Sequence, residues 1–133
     1  MRVVLDTNVL VSAFNFPGGA PEDVYRLALE ERIELVTSPP LLAELARVLT
    51  EKFDWEPLRV EEAITEIVET GLVVRPRESV RVIKDDPADD RVLEAALEGA
   101  ADAIVSGDAH VLRLRSWRGI RISSPSAFMA GFE

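Results

Sequence analysis

The sequence predicts an α/β fold in which helices flank a parallel sheet. Short apolar runs such as Val3-Val4-Leu5 are typical of strands that are buried on both faces. Longer stretches between these runs repeat apolar residues at the spacing of amphipathic helices. Strands that alternate with helices along a chain favour parallel pairing through right-handed crossovers.

The composition is that of an ordinary globular domain. With 133 residues, 47% of them hydrophobic and 29% charged, the chain can bury a core, and we predict one domain over residues 1–133. It has no cysteine, which excludes disulfides, thiolate zinc sites and a catalytic thiol.

No apolar run approaches the ~18 residues of a membrane helix, so we expect a cytoplasmic protein. The net charge of −9 argues against a protein that coats nucleic acid, but not against a nuclease whose carboxylates bind metal.

The predicted elements alternate along the whole chain. Ser38-Pro39 and Asp86-Pro87 are typical helix starts, because a short polar side chain caps the helix and proline fits its first turn. Residues 75–84 are predicted to form a connector. In order, the predicted elements are the strand 3–5, the helix 21–31, the strand 33–37, the helix 38–52, the helix 58–70, the strand 72–74, the helix 86–98, the strand 103–106 and the strand 120–122.

Two aspartates follow predicted strands. Asp6 comes directly after Val3-Val4-Leu5, and Asp108 comes after residues 104–107. A single aspartate at such a point is weak evidence, because turns favour aspartate for their own reasons. Ligands of parallel sheets bind at the carboxyl ends of the strands. The pair therefore predicts two carboxylates at one edge of the sheet.

A third acid, Glu44, lies in the helix 38–52. It falls about 40° beyond the Val48 edge of the apolar stripe on a helical wheel, so it flanks the buried face. Glu44 is thus either a solvated residue on the flank of the helix or a ligand that faces the site.

Further acids lie at the start of the helix 86–98. A helical wheel places Asp89 near the middle of the apolar face and Asp90 just beyond its Leu97 edge. A carboxylate that points at a core costs several kcal/mol unless it is paired or bound to a metal. Asp89 is therefore preferred as a ligand, although the helix dipole would also explain both acids. Asp86 is explained as a helix cap.

These candidate ligands are carboxylate oxygens. Oxygen ligands without cysteine or a histidine cluster favour Mg²⁺ or Mn²⁺. Several carboxylates around such ions are typical of phosphodiester hydrolysis, in which the metal orients the phosphate and activates a water molecule.

Four segments resemble the motifs of the PIN-domain family, in the family's order and over essentially the whole chain. The segments are Leu5-Asp6-Thr7-Asn8-Val9-Leu10, Ser38-Pro39-Pro40-Leu41-Leu42-Ala43-Glu44-Leu45, Asp86-Pro87-Ala88-Asp89-Asp90-Arg91-Val92-Leu93 and Val105-Ser106-Gly107-Asp108.

The resemblance implies a three-layer α/β/α sandwich around a four- to five-stranded parallel sheet. It also implies Mg²⁺- or Mn²⁺-dependent ribonuclease activity and usually a homodimer. The chain is most similar to the VapC-like toxins of type II toxin–antitoxin pairs, which implies an RNA substrate and a co-encoded antitoxin as partner.

The matching motifs also imply roles for individual residues. Counting back from Asp108 would select Asp90 as the third-motif ligand, whereas the helical wheel and the Asp-Pro-x-Asp pattern favour Asp89. The implied catalytic acids and metal ligands are Asp6, Glu44, Asp89 and Asp108, and the implied supporting residues are Asn8, Asp90 and Ser106.

The segment after Asp108 is locally basic. Its arginines, of which Arg113, Arg115 and Arg118 come first, either contact an RNA backbone or are ordinary surface residues. His110 is the single histidine of the chain. We do not expect it to take a direct part, because a metal-activated water needs no separate base.

Other functions fit the sequence less well. A phosphatase of the haloacid dehalogenase type needs a second acid two residues after the first, where this chain has Asn8, and a late lysine, where it has none after Lys84. A receiver-like signalling domain also needs a late lysine, so the same absence argues against it. A catalytically inactive PIN-fold binding module has no need of four acids.

Overall fold

The structure, a computed structural model, describes residues 1–83 and 87–132. In the described part, the helices are α1 (Thr7–Asn15), α2 (Ala20–Leu29), α3 (Pro39–Glu51), α4 (Pro57–Thr70), α5 (Asp90–Glu98), α6 (Ala109–Leu112) and α7 (Pro125–Gly131), with one turn of 3₁₀ helix at Pro87–Asp89. The strands are β1 (Arg2–Leu5), β2 (Glu34–Thr37), β3 (Leu72–Val73), β4 (Ala103–Val105), β5 (Ser116–Trp117) and β6 (Ile120–Ser123).

The described strands form one sheet in the order β3-β2-β1-β4-β6-β5. Strand β1 lies between β2 and β4 and is parallel to both, with Val3 opposite Leu35 on one side and Ala103 on the other. Strands β3 and β6 extend the parallel pairing outward. The predicted parallel sheet is therefore confirmed, with five parallel strands.

A sixth strand at the edge of the sheet was not predicted. Strand β5 pairs antiparallel with β6 through the turn at Arg118 and Gly119, which have φ values of 49° and 79°. Left-handed conformations at both turn positions match the twist of a tight hairpin. A two-residue strand is too short to give a periodic apolar pattern, so the sequence did not indicate it.

Alternate residues of the strands point to opposite faces of the sheet. Val3 and Leu5 pack in a core with α1, α2, α3 and α4, whereas Val4 and Ile104 pack in a second core with α5 and α6. Both faces of the central strands are thus buried, as their continuous apolar runs predict. The three-layer sandwich is confirmed. None of the helices in the described part of the chain could span a membrane.

Three described helices were not predicted. In α1, the carboxylate of Asp6 caps the first turn by accepting a hydrogen bond from the amide of Thr7. Helix α7 follows Ser124, whose hydroxyl accepts from the amide of Ala127, with proline in its first turn. This is the same cap-and-proline signal that marks the start of α3, and it could have been applied here. Helix α6 has a single turn, so it leaves no periodic pattern.

The predicted caps have different outcomes. Helix α3 begins after Ser38 as predicted, but the Ser38 hydroxyl makes no capping hydrogen bond. Its oxygen is buried and has no hydrogen-bond partner among the described residues. The predicted cap at Asp86 lies outside the described residues.

Carboxylates on α5 hold the connector that precedes it. Asp90 Oδ1 accepts hydrogen bonds from the amides of Val82 and Ile83, and Glu94 accepts one from the amide of Val80. Glu98 accepts from the amide and the guanidinium of Arg77. Because residues 90, 94 and 98 lie at four-residue spacing, they form a row on one side of the helix. We call this row, Asp90, Glu94 and Glu98, the carboxylate ladder.

Gly71→Ala is expected to lower the free energy of unfolding by about 1–3 kcal/mol. A Cβ atom at this position would lie 2.8 Å from the backbone oxygen of Leu35, so α4 and β2 would have to move apart. Urea denaturation measures the change. Gly131→Ala is the matched control, since nothing lies within 4 Å of its added Cβ, and its stability should stay the same or rise by up to about 1 kcal/mol. Equal effects at both positions would contradict the close packing at Gly71.

Candidate functional site

Asp6 and Asp108 lie at the same edge of the sheet. Asp6 follows β1, and its amide donates a 2.9 Å hydrogen bond to the carbonyl oxygen of Val105, the last residue of β4. Asp108 comes three residues after Val105 in the sequence. Because β1 and β4 are adjacent and parallel, both aspartates are at the carboxyl ends of their strands. This placement confirms the prediction made from the two apolar runs.

Asp6 is buried and fully engaged by donors. Its Oδ1 accepts a 2.7 Å hydrogen bond from the amide of Thr7. Its Oδ2 accepts hydrogen bonds from the Ser106 hydroxyl at 2.7 Å and from the Asn8 side-chain amide at 3.2 Å. These contacts fix the direction of the carboxylate. The structure thus brings Asn8 and Ser106, the two supporting residues, against Asp6.

Asn8 and Ser106 also join the loops that follow β1 and β4. The Asn8 side-chain oxygen accepts from the amide of Gly107 at 2.9 Å. The Ser106 hydroxyl accepts from the amide of Asp108 at 3.0 Å while it donates to Asp6. The relative position of Asp6 and Asp108 is therefore set by direct hydrogen bonds as well as by strand pairing.

Burial raises the pKa of Asp6 above its usual value, and the negative charge of Asp108 raises it further. Hydrogen bonds from Ser106, Thr7 and Asn8 oppose these effects in part. A buried carboxylate beside a second, partly exposed one favours the binding of positive charge, which a divalent cation can supply.

Without metal, Asp108→Asn is expected to melt at a higher temperature than the wild type at pH 7.5. A raised folded pKa at Asp6 means that stability is fully present below the unfolded pKa of about 3.9 and is lost as pH rises through the folded pKa. Without the Asp108 charge, less stability is lost as pH rises. The difference in melting temperature between the variant and the wild type should therefore shrink towards pH 4.5. Thermal scans in EDTA between pH 4.5 and 7.5 measure it.

Asp102→Asn is the control for this measurement, because Asp102 is exposed and lies at the other end of β4. Millimolar Mn²⁺ should stabilise the wild type at pH 7.5 more than it stabilises Asp108→Asn, through binding to the folded state. An Asp108→Asn advantage that is the same at every pH would contradict the electrostatic explanation.

Asp108 also belongs to a second group of side chains, with Asp89 and His110. His110 Nδ1 lies 3.8 Å from Asp89 Oδ2 and 3.8 Å from Asp108 Oδ1. One donor atom from each residue lies within 4.8 Å of the others, a spacing that could hold a metal ion. The amide of His110 donates a 2.7 Å hydrogen bond to Asp108 Oδ1, because Asp108 caps α6. The sequence did not predict that His110 would lie beside Asp89, and whether it takes a direct part stays a prediction.

Asp89 and Asp90 have different surroundings from those given by the helical wheel. Asp90 is 2% exposed, and its carboxylate points at the connector, where it accepts from the amides of Val82 and Ile83. Asp89, with 13% of its side chain exposed, points at His110. The helical wheel did not foresee the burial of Asp90, because the connector covers the side of α5 that carries it, and the preference for Asp89 as the ligand stays a prediction.

Glu44 is partly buried on α3, which starts at the carboxyl end of β2. Strand β2 is the neighbour of β1, so Glu44 and Asp6 follow adjacent strand ends. Within residues 1–83 and 87–132, the one group of three ligands that the structure brings within 4.8 Å is Asp89, Asp108 and His110. Asp6 and Glu44 lie outside this group, so the four acids are not gathered into one close set.

A family profile described as PIN domain matches residues 2–110 of the chain. The chain belongs to the PIN-domain family. The matched region contains the four segments from Asp6 to Asp108 that carry the resemblance, so the family expected from the sequence is confirmed.

The chain is also similar to individual proteins and solved structures. The chain is 28% identical over 145 aligned positions to an uncharacterized protein of Methanocaldococcus jannaschii, with 100% of this chain and 92% of the relative covered. A chain in the structure of VapBC2 from Rickettsia felis bound to a DNA fragment from their promoter has a TM-score of 0.62 at 13% identity, over 93% of this chain and 98% of that chain. A chain in the structure of VapBC-1 from nontypeable Haemophilus influenzae has a TM-score of 0.62 at 20% identity, over 95% and 99%. The likeness to these two structures concerns the fold.

The arginines that follow the PIN-domain site are all exposed. Arg118 lies over the ring of Trp117, with 4.7 Å between its guanidinium carbon and the ring centroid, and 3.9 Å from Glu78. Arg113 ends α6, and Arg115 adopts a left-handed conformation before β5. All three arginines are therefore on the surface of the α6–β6 region, close in sequence to Asp108.

The donor set of this PIN domain fits a divalent cation. Asp89 and Asp108 offer carboxylate oxygens, the ligands that Mg²⁺ and Mn²⁺ accept. His110 Nδ1 is buried and has no hydrogen-bond partner among the described residues. Buried polar atoms in proteins are nearly always satisfied, so a buried nitrogen between two carboxylates indicates room for a further partner.

Proposed function

We propose that this PIN domain is a metal-dependent ribonuclease that hydrolyses phosphodiester bonds with Mg²⁺ or Mn²⁺. The observation that carries the proposal is that Asp108, at the carboxyl edge of the sheet, is near the buried Asp6 on one side and Asp89 on the other. Asp108 is the shared member, since its charge acts on Asp6 and its carboxylate lies beside the His110–Asp89 group. Family membership supports the same activity.

In the proposed mechanism, Asp89 and Asp108 would hold the ion, and Asp6 and Glu44 would add negative charge around it. When bound, the ion would supply the chemistry of activating a water molecule and stabilising negative charge on the phosphate. Ser106 and Asn8 keep the Asp6 carboxylate directed by donating hydrogen bonds to it. The Asp108 carboxylate is oriented by the amide of His110.

We propose that RNA contacts the exposed arginines of the α6–β6 region through its phosphates. Arg113, Arg115 and Arg118 would supply local positive charge on a chain whose net charge is −9. Phosphate contacts of this kind release counterions, so RNA binding should weaken as salt rises.

The proposed biological role is that of the toxin in a toxin–antitoxin pair. The fold likeness to chains of two VapBC structures supports this role. A homodimer and a co-encoded antitoxin protein are the partners that we propose on this basis. Sedimentation at micromolar concentration tests the dimer, and a monomer there would refute it.

Two alternatives have less support. A PIN-fold binding module without catalysis would not need the buried, charge-repelled Asp6 beside Asp108. In a haloacid-dehalogenase-like phosphatase, an acid would stand where Asn8 is, whereas here Asn8 donates to Asp6 and accepts from Gly107.

An RNA-cleavage assay with Mg²⁺, Mn²⁺ and EDTA tests the proposal. We expect cleavage with either metal and none in EDTA. Persistent cleavage in EDTA, or none with either ion over a range of RNAs, would refute the metal-dependent ribonuclease.

A further inference from the structure

The imidazole of His110 is placed as a ligand would be. Its Nδ1 is equally distant, at 3.8 Å, from one oxygen of Asp89 and one oxygen of Asp108. Both distances are longer than the 2.7–3.2 Å of an N–H···O hydrogen bond. The nitrogen is buried and has no hydrogen-bond partner in the described part of the chain, although 36% of the His110 side chain is exposed.

These distances suit a cation between the three residues. Metal–ligand bonds to nitrogen and oxygen are about 2.0–2.2 Å long, so an ion can bridge two atoms 3.8 Å apart without a large movement of either. The backbone holds His110 in place, because its amide donates to Asp108 Oδ1 and it lies in the single turn of α6.

We propose that Nδ1 of His110 is a protein ligand of the metal ion, beside Asp89 and Asp108, and that the site therefore prefers Mn²⁺ to Mg²⁺. This inference rests on the proposed function, which supplies the ion. Mg²⁺ keeps its waters and prefers oxygen ligands, whereas first-row transition ions accept an imidazole nitrogen readily. Binding through Nδ1 uses the neutral ring with its proton on Nε2.

The sequence makes a direct spectroscopic test possible. His110 is the single histidine of the chain, so with the affinity tag removed any imidazole ¹⁴N signal on bound Mn²⁺ has one source. Electron spin echo envelope modulation of the wild-type protein with Mn²⁺ should show imidazole ¹⁴N coupling. The coupling should be absent in His110→Gln and retained in Asp102→Asn, because Asp102 is an exposed acid at the opposite end of β4, outside the ligand group.

Calorimetric titration gives the second readout. In His110→Gln, the affinity for Mn²⁺ should fall about 10- to 100-fold, while that for Mg²⁺ should change by less than about 3-fold. Circular dichroism checks that His110→Gln is folded. If this variant does not fold, the spin echo measurement on the wild-type protein still tests the proposal.

Mn²⁺ that binds to the wild type without ¹⁴N coupling would overturn the proposal. His110 would then be a neighbour of the two aspartates and not a ligand, and continued RNA cleavage would leave the proposed ribonuclease activity unaffected. A wild-type protein that binds neither ion and cleaves no RNA would instead refute the proposed function itself.

Discussion

Asp108→Asn is expected to reduce Mg²⁺- or Mn²⁺-dependent RNA cleavage at least about 100-fold while the fold stays intact. The loss follows from replacing a charged ligand by a neutral amide, since a bound ion contributes several kcal/mol of transition-state stabilisation. The fold should survive because the asparagine oxygen can still accept the amide of His110 and cap α6. Cleavage rates with saturating RNA and a circular dichroism spectrum measure the two parts.

Asp102→Asn is again the matched control, because this exposed aspartate lies at the opposite end of the same strand. Asp6→Asn should lose activity in the same way, but it needs a separate stability measurement. Its new amide group would face the Asn8 amide, which now donates to Asp6. Wild-type activity in Asp108→Asn would mean that another site, or a contaminating nuclease, cleaves the RNA.

Asp89→Asn is expected to lose activity but keep its stability, whereas Asp90→Asn is expected to lose stability but keep most of its activity. Asp89→Asn should lower cleavage at least about 100-fold and change the free energy of unfolding by less than about 1 kcal/mol. Asp90→Asn should lower that free energy by about 1–3 kcal/mol, since its buried carboxylate accepts two backbone amides and charge-assisted bonds are the stronger ones. Its cleavage should stay within about 10-fold of the wild type.

Urea denaturation and cleavage rates on the same two preparations test this pair. Asp90→Ala extends the series, because it removes the acceptor altogether and should be less stable than Asp90→Asn. A larger loss of cleavage in Asp90→Asn than in a stable Asp89→Asn would show that Asp90 is the third-motif ligand.

The sequence predicted the elements that bury large faces. Val3-Val4-Leu5 and the stripe of α3 are buried because long apolar patterns must be removed from water, whatever surrounds them. Short elements were missed where hydrogen bonds rather than a periodic pattern define them, as in the turn of α6 after Asp108. Helix α7 was also predictable, because Ser124 and Pro125 carry the same cap-and-proline signal as the start of α3.

The carboxyl edge of the sheet was also predictable, since Asp6 and Asp108 follow recognisable strands. The burial of Asp90 was not, because a helical wheel isolates the helix from the rest of the chain. The amides of Val82 and Ile83 cover Asp90 and decide its burial. The closeness of His110 to Asp89 could not be predicted for a related reason, since Asp89 is distant in sequence.

The carboxylate ladder has a consequence for native-state hydrogen exchange. Residues 75–83 make no strand pairing, so the connector can open while the sheet remains whole. The amides of Val80, Val82 and Ile83 should then exchange together, as one cooperative unit with an opening free energy below that of global unfolding. Such an opening would release the carboxylates of Asp90 and Glu94 while the strands that lead to Asp6 and Asp108 stay paired, so one part of this protein can exchange its amides without the chain unfolding.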